Sequence, residues 1–449
     1  MDNNILDSVI VGSGISGLTL AHELHKRDKK FIIIDEIKDV GGMLQTQEIQ
    51  GFPIDNSAVS ASMNKELLQL IRELNLEDKV LYANSTAKKR YILRSGKLHD
   101  INFSIPGILK SSLLSLSSKI RIFKEIFIKP FNGNYDESVA QFVSRRFGKE
   151  FLDYVVNPMV AGIFSGDPKK MSLKSSFSKI YDLERIYGSI IKGLNKIAKQ
   201  QSPLNRNIFS FKGGLSALTK AISDQFPPEI VQTSTRLESV EKQKDNFILT
   251  VVKNDKRKVI TTKSLLLTIP SHRISRIIKW LDLSKIDDIY YSPINILTLC
   301  YNRVDIKHPL DAFGFLVPEK EKMSFLGAIW NTSIFTDKYP KDKVLFTIFI
   351  GRARNADKLA NNKKQVIEDA KLEFEKIMCI ERNKEVFTRV NLIEKSIPQY
   401  GIGHSNIIDY IGEIEKNNRG LYFSGNYISG ISIGDCVKYN VELSAEKLA

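Results

Sequence analysis

The sequence predicts a mixed α/β fold, and three stretches of it carry the prediction. Residues 8–36 read as a buried strand, a glycine-rich turn, an amphipathic helix and a second strand, which is the order of a βαβ unit. Residues 230–269 alternate like antiparallel strands, with polar turns at KDN and NDKRK. Residues 102–204 read as mainly helical. At 449 residues and 42% hydrophobic content, the chain is expected to bury a large core in two or three domains.

The turn of the βαβ unit has the spacing of a dinucleotide-binding motif. Gly12 permits the tight turn, Gly14 lets the backbone approach a pyrophosphate, and Gly17 lets helix and strand pack closely. Asp35, at the end of the second strand, is expected to accept hydrogen bonds from ribose hydroxyls. The motif by itself does not separate NAD from FAD. Its expected cofactor contacts are Gly12, Ser13, Gly14, Ile15, Ser16, Gly17, Asp35 and Glu36.

Two further glycine clusters follow. The pair Gly41-Gly42 comes six residues after Asp35, and three glycines lie between Gly425 and Gly434 near the end of the chain. A turn before a strand, or a loop entering a helix, would also explain such glycines. The alternative interpretation is that the backbone at these points approaches a cofactor.

Several segments, in this order, resemble the oxygen-dependent protoporphyrinogen and coproporphyrinogen oxidase family of the flavoprotein amine oxidase superfamily. The matching segments are residues 65–80, 89–101, 157–173, 209–222, 397–404 and 421–436. This resemblance implies non-covalently bound FAD, a porphyrinogen substrate and dioxygen as the electron acceptor. It also implies further flavin contacts: Gly42, Met43, Asp55, Asn56, Ser57, Ala58, Leu237, Gly425, Asn426, Ile431, Ser432 and Ile433.

The chain departs from the family pattern at two of these places. Asp55 and Asn56 stand where the family usually has a glycine-proline pair beside the flavin, and Met43 stands where a basic residue is common. A carboxylate beside the flavin would disfavour the anionic reduced form, or it would hydrogen-bond the ring or the substrate. A shifted substrate or a specialised paralogue would account for these changes.

The resemblance also implies a substrate site. Arg90 would pair with a substrate propionate, and the carbonyl of Gly162 would face the pyrrole N–H groups. Apolar residues would clamp the macrocycle: Phe313, Leu316, Ile329 and Phe349. On the residues alone, Arg90 could belong to a solvated loop with Lys88 and Lys89, and the apolar four could be ordinary core sheet.

No catalytic side chain and no metal site are expected. The six histidines are scattered singly, and no Ser/His/Asp set or metal-ligand spacing occurs. A flavin reaction of this kind needs positioning and exclusion of water, because the cofactor carries the electronic work.

The expected architecture has three parts. A discontinuous Rossmann-like FAD-binding domain would combine residues 1–90, 205–285 and 390–449. Residues 102–204 would form a helical, membrane-facing domain, and residues 286–389 a sheet-containing substrate domain, with strands at 295–304, 313–318 and 344–351.

The chain is expected in the cytoplasm. Its start is acidic, it contains no apolar run long enough to span a bilayer, and its three cysteines lie far apart, as suits a reducing compartment. The net charge of +15 predicts an anionic partner: nucleic acid, an acidic lipid surface or a carboxylated small molecule. The family resemblance favours the last two and no nucleic acid, and it leaves a homodimer open.

A basic amphipathic stretch covers residues 105–131. It carries Lys110, Lys119, Arg121, Lys124 and Lys129 against a single acid, Glu125. Such a stretch can lie peripherally on an anionic membrane, or it can be an ordinary surface helix with its apolar stripe on the core.

Three functions from different classes remain open at this point. The first is porphyrinogen oxidation. The second is a related flavin enzyme that acts on an amine or a carotenoid-like lipid. The third is a non-catalytic FAD-binding protein of the haem pathway, which the Asp55-Asn56 departure leaves open.

Overall fold

A computed structural model describes residues 5–102, 104–133, 135–200, 207–351 and 362–448. The chain forms two compact units, Met1–Tyr82 with Asn205–Tyr290 and Ser405–Ala449, and Ala83–Leu204 with Tyr291–His404. The expected boundary between the helical and flavin segments, at residues 204 and 205, lies outside the described residues, as does the segment 352–361 of the expected substrate domain. The division into three functional domains stays a prediction.

All described strands of eight or more residues lie after residue 235. In chain order the strands are β1 (Leu6–Val11), β2 (Phe31–Ile34), β3 (Thr46–Ile49), β4 (Phe52–Asp55), β5 (Ala61–Ser62), β6 (Val80–Tyr82), β7 (Arg90–Arg94), β8 (Lys97–Ile101), β9 (Ile208–Phe211), β10 (Val231–Gln232), β11 (Arg236–Gln243), β12 (Asn246–Lys253), β13 (Lys256–Leu267), β14 (Tyr291–Asn302), β15 (Gly314–Leu316), β16 (Gly327–Trp330), β17 (Lys343–Gly351), β18 (Glu385–Pro398) and β19 (Leu421–Phe423).

The described residues form seventeen helices, of which eight lie in the segment predicted to be helical. In chain order they are α1 (Ile15–His25), α2 (Lys65–Glu73), α3 (Ile105–Lys110), α4 (Leu116–Phe123), α5 (Val139–Arg146), α6 (Lys149–Phe151), α7 (Asn157–Phe164), α8 (Leu173–Ser176), α9 (Ser178–Tyr187), α10 (Ile190–Gln200), α11 (Ser216–Ser223), α12 (Ser271–Ile274), α13 (Ser284–Asp287), α14 (Asn331–Ile334), α15 (Lys363–Met378), α16 (His404–Asn417) and α17 (Ile433–Lys447). A π-helical turn, Leu152–Val156, joins α6 to α7, and a 3₁₀ turn, Lys124–Phe127, follows α4.

The first unit is built on a sheet whose central strands are parallel. Its parallel part has the order β10-β2-β1-β13-β19. The strands β11, β12 and β13 pair antiparallel, so the alternation predicted for residues 230–269 is confirmed. Val11 is paired with both Ile34 and Leu267, and Leu267 is paired with Phe423. The carboxyl ends of four parallel strands therefore lie level at one edge of the sheet.

Helices complete this unit. The core holds buried residues of α1, α2, α11 and α17 together with Ile10, Ile33 and Leu266 of the sheet. Gly17 is needed for the fit of α1, because a Cβ there would lie 2.0 Å from the Gly12 carbonyl oxygen. The close helix–strand packing predicted from the third glycine of the motif is confirmed.

The second unit contains a sheet of seven strands in the order β18-β14-β17-β16-β15-β7-β8. The strands expected near 295–304, 313–318 and 344–351 are present as β14, β15 and β17. One face of the sheet packs on α15 through an apolar core that includes Phe315, Trp330, Ile348 and Phe374. At the β7–β8 end, the opposite face carries Ile92 and Ile101, which pack against Leu113, Ile122 and Val155 of the helical segment.

The basic stretch 105–131 is broken rather than continuous. It folds as α3, α4 and the 3₁₀ turn, each a short element. Ser104 and Ser115 cap α3 and α4 by accepting hydrogen bonds from backbone N–H groups, which explains where each begins. Among the described residues, no helix has the length and apolar character that crossing a membrane requires.

Candidate active site

The βαβ turn is held at the carboxyl edge of the parallel strands. Thr268, directly after β13, donates its backbone N–H to the Val11 carbonyl at 2.9 Å. Its hydroxyl lies 2.8 Å from the same carbonyl and 3.1 Å from that of Gly12. Thr268 was not singled out in the sequence. The signal that could have found it is its position at the end of a buried strand, where ligands of such sheets bind.

Gly14 presents open backbone at this edge. It is the N-cap of α1, no side chain caps the helix, and a Cβ added at Gly14 would meet no described atom within 4 Å. The first N–H groups of an α-helix lack intrahelical partners and carry partial positive charge, which favours an anion. The geometry at Gly14 therefore suits a pyrophosphate.

The second glycine pair lies against the first motif. The Gly41 N–H donates to the Ser13 carbonyl at 2.8 Å, and Gly42 adopts a positive φ of +58°. A Cβ on Gly42 would come within 3.2 Å of the Gly14 Cα. The loop that follows β4 joins the same region, because the Ser57 hydroxyl donates to the Met43 carbonyl at 2.7 Å. Three segments predicted to contact the cofactor are thus neighbours.

Asp35 is used by the protein itself. Its carboxylate accepts from the Ser13 N–H and hydroxyl, each at 2.7 Å, and from the Ile37 N–H at 2.9 Å. A carboxylate offers about four acceptor sites, so capacity for about one further donor remains. The predicted bond to a ribose hydroxyl stays a prediction. Glu36 forms an ion pair with Arg273.

Leu237, which is predicted to lie beside the adenine, is connected to the same edge. The Thr235 N–H donates to the Asp35 carbonyl at 2.7 Å, which ties the start of β11 to the end of β2. Leu237 follows two residues later and is buried. Its predicted contact with adenine stays a prediction.

The Asp55 carboxylate accepts hydrogen bonds from other parts of the protein. One of its carboxylate oxygens accepts from the Thr46 hydroxyl at 2.6 Å and from the Leu215 N–H at 2.8 Å, and the side chain is buried. These bonds tie the β3–β4 hairpin to the turn before α11, where Gly214 has a φ of +85°. The carboxylate that replaces the family's glycine therefore has a role within the fold. Flavin contacts by Asp55, Asn56, Ser57 and Ala58 stay predictions.

The C-terminal glycine segment begins at the same strand edge. The Ser424 N–H donates to the Leu267 carbonyl at 2.9 Å, and Gly425 follows with a φ of +140°. Ser432 is the N-cap of α17, and the Asn64 side chain donates to the Gly434 carbonyl at 2.8 Å. Asn426, Ile431, Ser432 and Ile433 are half-buried rather than packed in the core. The segment from 425 to 433 is thus fixed at both ends.

Cys436 does not have the character of a reactive thiol. It is buried, and burial raises the pKa of its thiol. A nucleophilic cysteine is usually exposed with a lowered pKa. The prediction that the cofactor is not covalently attached stays a prediction.

The predicted substrate residues of the second unit share one face of its sheet. Ile329 is paired with Gly314 on one side and Thr347 on the other, and Phe349 is paired with Gly327. Directly paired residues point to the same face, and this is the face opposite the α15 core. Leu316, Ile329 and Phe349 are all half-buried. If these three residues were ordinary core residues of the sheet, they would be expected to be completely buried.

Arg90 begins β7 on the same face. Its guanidinium lies over the Phe313 ring, 4.8 Å from the ring centre. Within the part of the chain that the structure describes, Arg90 makes no hydrogen bond and no ion pair. Burial lowers the pKa of this guanidinium from its usual value. A half-buried cation without a carboxylate is suited to bind one from a ligand.

Gly162 lies in the last turn of α7, where carbonyl groups lack helical donors. The Ala161 carbonyl accepts from Ser165, and the Phe164 carbonyl accepts from the Gln399 side chain at 2.7 Å. Among the described residues, the Gly162 carbonyl has no such donor. A Cβ on Gly162 would lie 2.6 Å from the end of the Leu316 side chain, so a larger residue there would require Leu316 to shift. This carbonyl remains available to a ligand N–H.

Known proteins resemble this chain over nearly its full length. The chloroplastic protoporphyrinogen oxidase of Nicotiana tabacum is 29% identical to this chain, and the matched region covers 98% of this chain and 85% of the tobacco protein. The coproporphyrinogen III oxidase of Bacillus subtilis (strain 168) is 24% identical, covering 96% and 95%. The crystal structure of a proposed protoporphyrinogen oxidase from Exiguobacterium sp. 255-15 superimposes with a TM-score of 0.82 at 20% identity, covering 99% of both chains.

A family model, described as flavin containing amine oxidoreductase, matches residues 15–438. The cofactor of this chain is FAD. The chain belongs to the flavin-containing amine oxidoreductase family.

Proposed function

We propose that this protein oxidises a porphyrinogen to the corresponding porphyrin in haem biosynthesis, with bound FAD and with dioxygen as the final acceptor. The observation that carries the proposal is Arg90, a half-buried cation with no hydrogen bond or ion pair among the described residues. It lies on the same sheet face as the apolar residues Ile329 and Phe349. A porphyrinogen is a large apolar ring with carboxylates at its rim, so it needs both features. The names of the curated relatives support the same substrate class.

FAD supplies the two-electron acceptor for each of the oxidation steps that convert porphyrinogen to porphyrin. The role of the protein is to hold and orient the substrate. In this proposal Arg90 binds a propionate, Phe313, Leu316, Ile329 and Phe349 contact the ring and exclude water, and the Gly162 carbonyl accepts from a pyrrole N–H. No side chain is assigned as a catalytic acid or base.

Arg90→Ala is expected to lower kcat/KM for the natural porphyrinogen about ten- to a hundredfold. The variant loses one charge-assisted pair, worth about 1.5–3 kcal/mol. Lys88→Ala is the matched control, because Lys88 is exposed two residues away and should leave the kinetics unchanged. Steady-state oxidation of protoporphyrinogen IX and coproporphyrinogen III, followed by porphyrin fluorescence, is the measurement. Unchanged kinetics in Arg90→Ala would show that the anchor is elsewhere.

We further propose that the protein acts in the cytoplasm at an anionic membrane surface. Exposed apolar side chains cluster on α4 and the following turn: Leu116, Ile120, Phe123 and Phe127, the last being 80% exposed. Arg121 and Lys124 lie among them and are exposed, and Lys119 is half-buried. The one acid of the stretch, Glu125, is fully buried and accepts from Ser189, so it does not offset this charge at the surface. Exposed apolar groups with basic neighbours suit a lipid interface.

Binding to vesicles that contain phosphatidylglycerol is therefore expected to exceed binding to phosphatidylcholine vesicles and to weaken as salt rises. The double variant Phe123→Ser/Phe127→Ser should bind less at every salt concentration. Val304→Ser is the control, because Val304 is 90% exposed but lies outside this stretch. Equal sedimentation with both vesicle types, independent of salt, would leave α4 as an ordinary surface helix.

A further inference from the structure

One carboxylate contacts both neighbours of Arg90. Lys89 Nζ lies 2.5 Å from Asp311 Oδ2, and the Tyr91 hydroxyl donates to Asp311 Oδ1 at 3.0 Å. Successive residues of a strand point to opposite faces, so Lys89 and Tyr91 extend from β7 on the side away from Arg90. Asp311 thereby contacts the residues on both sides of Arg90 along the chain.

The loop that carries Asp311 also carries the aromatic ring beneath Arg90. Phe313 follows two residues later, and its N–H donates to the Lys89 carbonyl at 2.9 Å. Its own carbonyl accepts from the Trp330 N–H at 3.0 Å. The side-chain bonds of Asp311 and the backbone bonds of Phe313 therefore fix the same two segments, β7 and the loop before β15.

The charges of this cluster reinforce the contact. Burial tends to raise the pKa of Asp311, but hydrogen bonds from Lys89 and Tyr91 outweigh it and lower the pKa below its usual value. The hydrogen bond to Asp311 also raises the pKa of Lys89. Both side chains are about a third or more exposed, and pairs of that kind contribute little to stability. The effect of the Lys89–Asp311 pair is therefore to fix the positions of β7 and the loop before β15.

We propose that Asp311 is a positioning residue, which acts through Lys89 and Tyr91 to hold Arg90 over Phe313 in the orientation that binds a substrate carboxylate. Engagement by Lys89 and Tyr91 also keeps the Asp311 carboxylate from pairing with Arg90 in place of the substrate. This inference rests on the proposed function. It adds a second group of residues, on the opposite face of the sheet, to the determinants of carboxylate recognition.

The test is Asp311→Asn, which keeps the size of the side chain and removes its charge. We expect KM for coproporphyrinogen III to rise about three- to tenfold with kcat unchanged. The melting temperature should shift by less than about 3 °C. In the Arg90→Ala background the same substitution should have no further effect, because its action passes through Arg90. Asp311→Glu should restore part of the affinity, and Asp342→Asn, at an exposed ion pair elsewhere in the unit, should do nothing.

Three results would overturn the inference. The first is an equal loss from Asp311→Asn in wild-type and Arg90→Ala backgrounds. The second is an equal loss for octaethylporphyrinogen, which has the macrocycle but no carboxylate. The third is an unchanged KM in Asp311→Asn while Arg90→Ala behaves as predicted, in which case the proposed function stands and the positioning role falls. A wild-type protein that oxidises no porphyrinogen would instead defeat the proposed function itself.

Discussion

Arg146→Leu is expected to lower the free energy of unfolding by about 3–5 kcal/mol, because it leaves the buried Glu125 carboxylate without its counter-ion. Arg146 and Glu125 are fully buried, and their charged groups lie 3.0 Å apart. The Arg146 guanidinium also lies 2.6 Å from Glu184 and donates to the Ile128 and Gly188 carbonyls at 2.9 and 2.8 Å. One side chain thus joins α5 to the turn after α4, to α9 and to Gly188 at the end of α9.

Urea unfolding followed by circular dichroism is the measurement, with Lys149→Leu as the matched control. Lys149 is 79% exposed and forms only a long pair with Asp153, so its loss should change stability by less than about 0.5 kcal/mol. Adding Glu125→Gln to Arg146→Leu should recover part of the stability, since the uncompensated charge is then gone. Equal stabilities of Arg146→Leu and Lys149→Leu would contradict the account of this network.

Stability should also fall in acid for the same reason. Burial by itself would raise the pKa of Glu184, but hydrogen bonds and charge from Arg145 and Arg146 bring it below its ordinary value of 4.5. A carboxyl group with a lowered pKa in the folded state stabilises the fold above its ordinary pKa and loses that contribution as the pH falls. The urea midpoint of Arg146→Leu should therefore depend less on pH below about 4.5 than that of the wild type.

Gly14→Val is expected to abolish stable FAD binding while leaving the fold intact. The Gly14 φ of −75° is allowed for valine, and an added Cβ meets no described atom within 4 Å. The added Cβ is therefore accommodated by the protein, and the expected collision is with the pyrophosphate proposed to lie against Gly14. Losing two charge-assisted bonds of about 1.5–3 kcal/mol each weakens binding by on the order of a hundredfold or more.

The flavin-to-protein absorbance ratio of the purified variant measures this effect. Gly412→Val is the control, because that position in α16 also has no described atom within 4 Å of an added Cβ but belongs to no glycine motif. The control should retain full flavin, and both variants should melt cooperatively. Full flavin occupancy in Gly14→Val would contradict the placement of the pyrophosphate.

The fold was predictable wherever a local pattern decides it. The glycine spacing after β1 and the alternation in 230–269 both depend on neighbouring residues, and both appear in the structure as expected. The glycine motifs also predicted which loops lie together, since Gly42 is adjacent to Gly14, while their contacts with the cofactor stay predictions.

Long-range partners were not predictable from the sequence. The sequence predicts that Asp55 lies beside the flavin, but it does not predict the contacts of Asp55 with Thr46 and Leu215, which join residues up to 160 positions apart. The sequence places Glu125 among the charges of a surface stretch, whereas in the structure it is buried beside Arg146. Asp311 and Thr268 carry no motif at all. Each of these roles depends on which segments the fold brings together, and a pattern of near neighbours does not contain that information.

The central claim is that the flavin of this protein accepts electrons from a porphyrinogen, and anaerobic mixing of wild-type protein with substrate tests it most directly. The account predicts that protoporphyrinogen IX or coproporphyrinogen III bleaches the visible absorbance of the oxidised flavin as porphyrin fluorescence appears, and that admitting dioxygen restores the flavin. If neither porphyrinogen bleaches the flavin while a primary amine such as putrescine does, the proposed function is wrong and the protein is an amine oxidase.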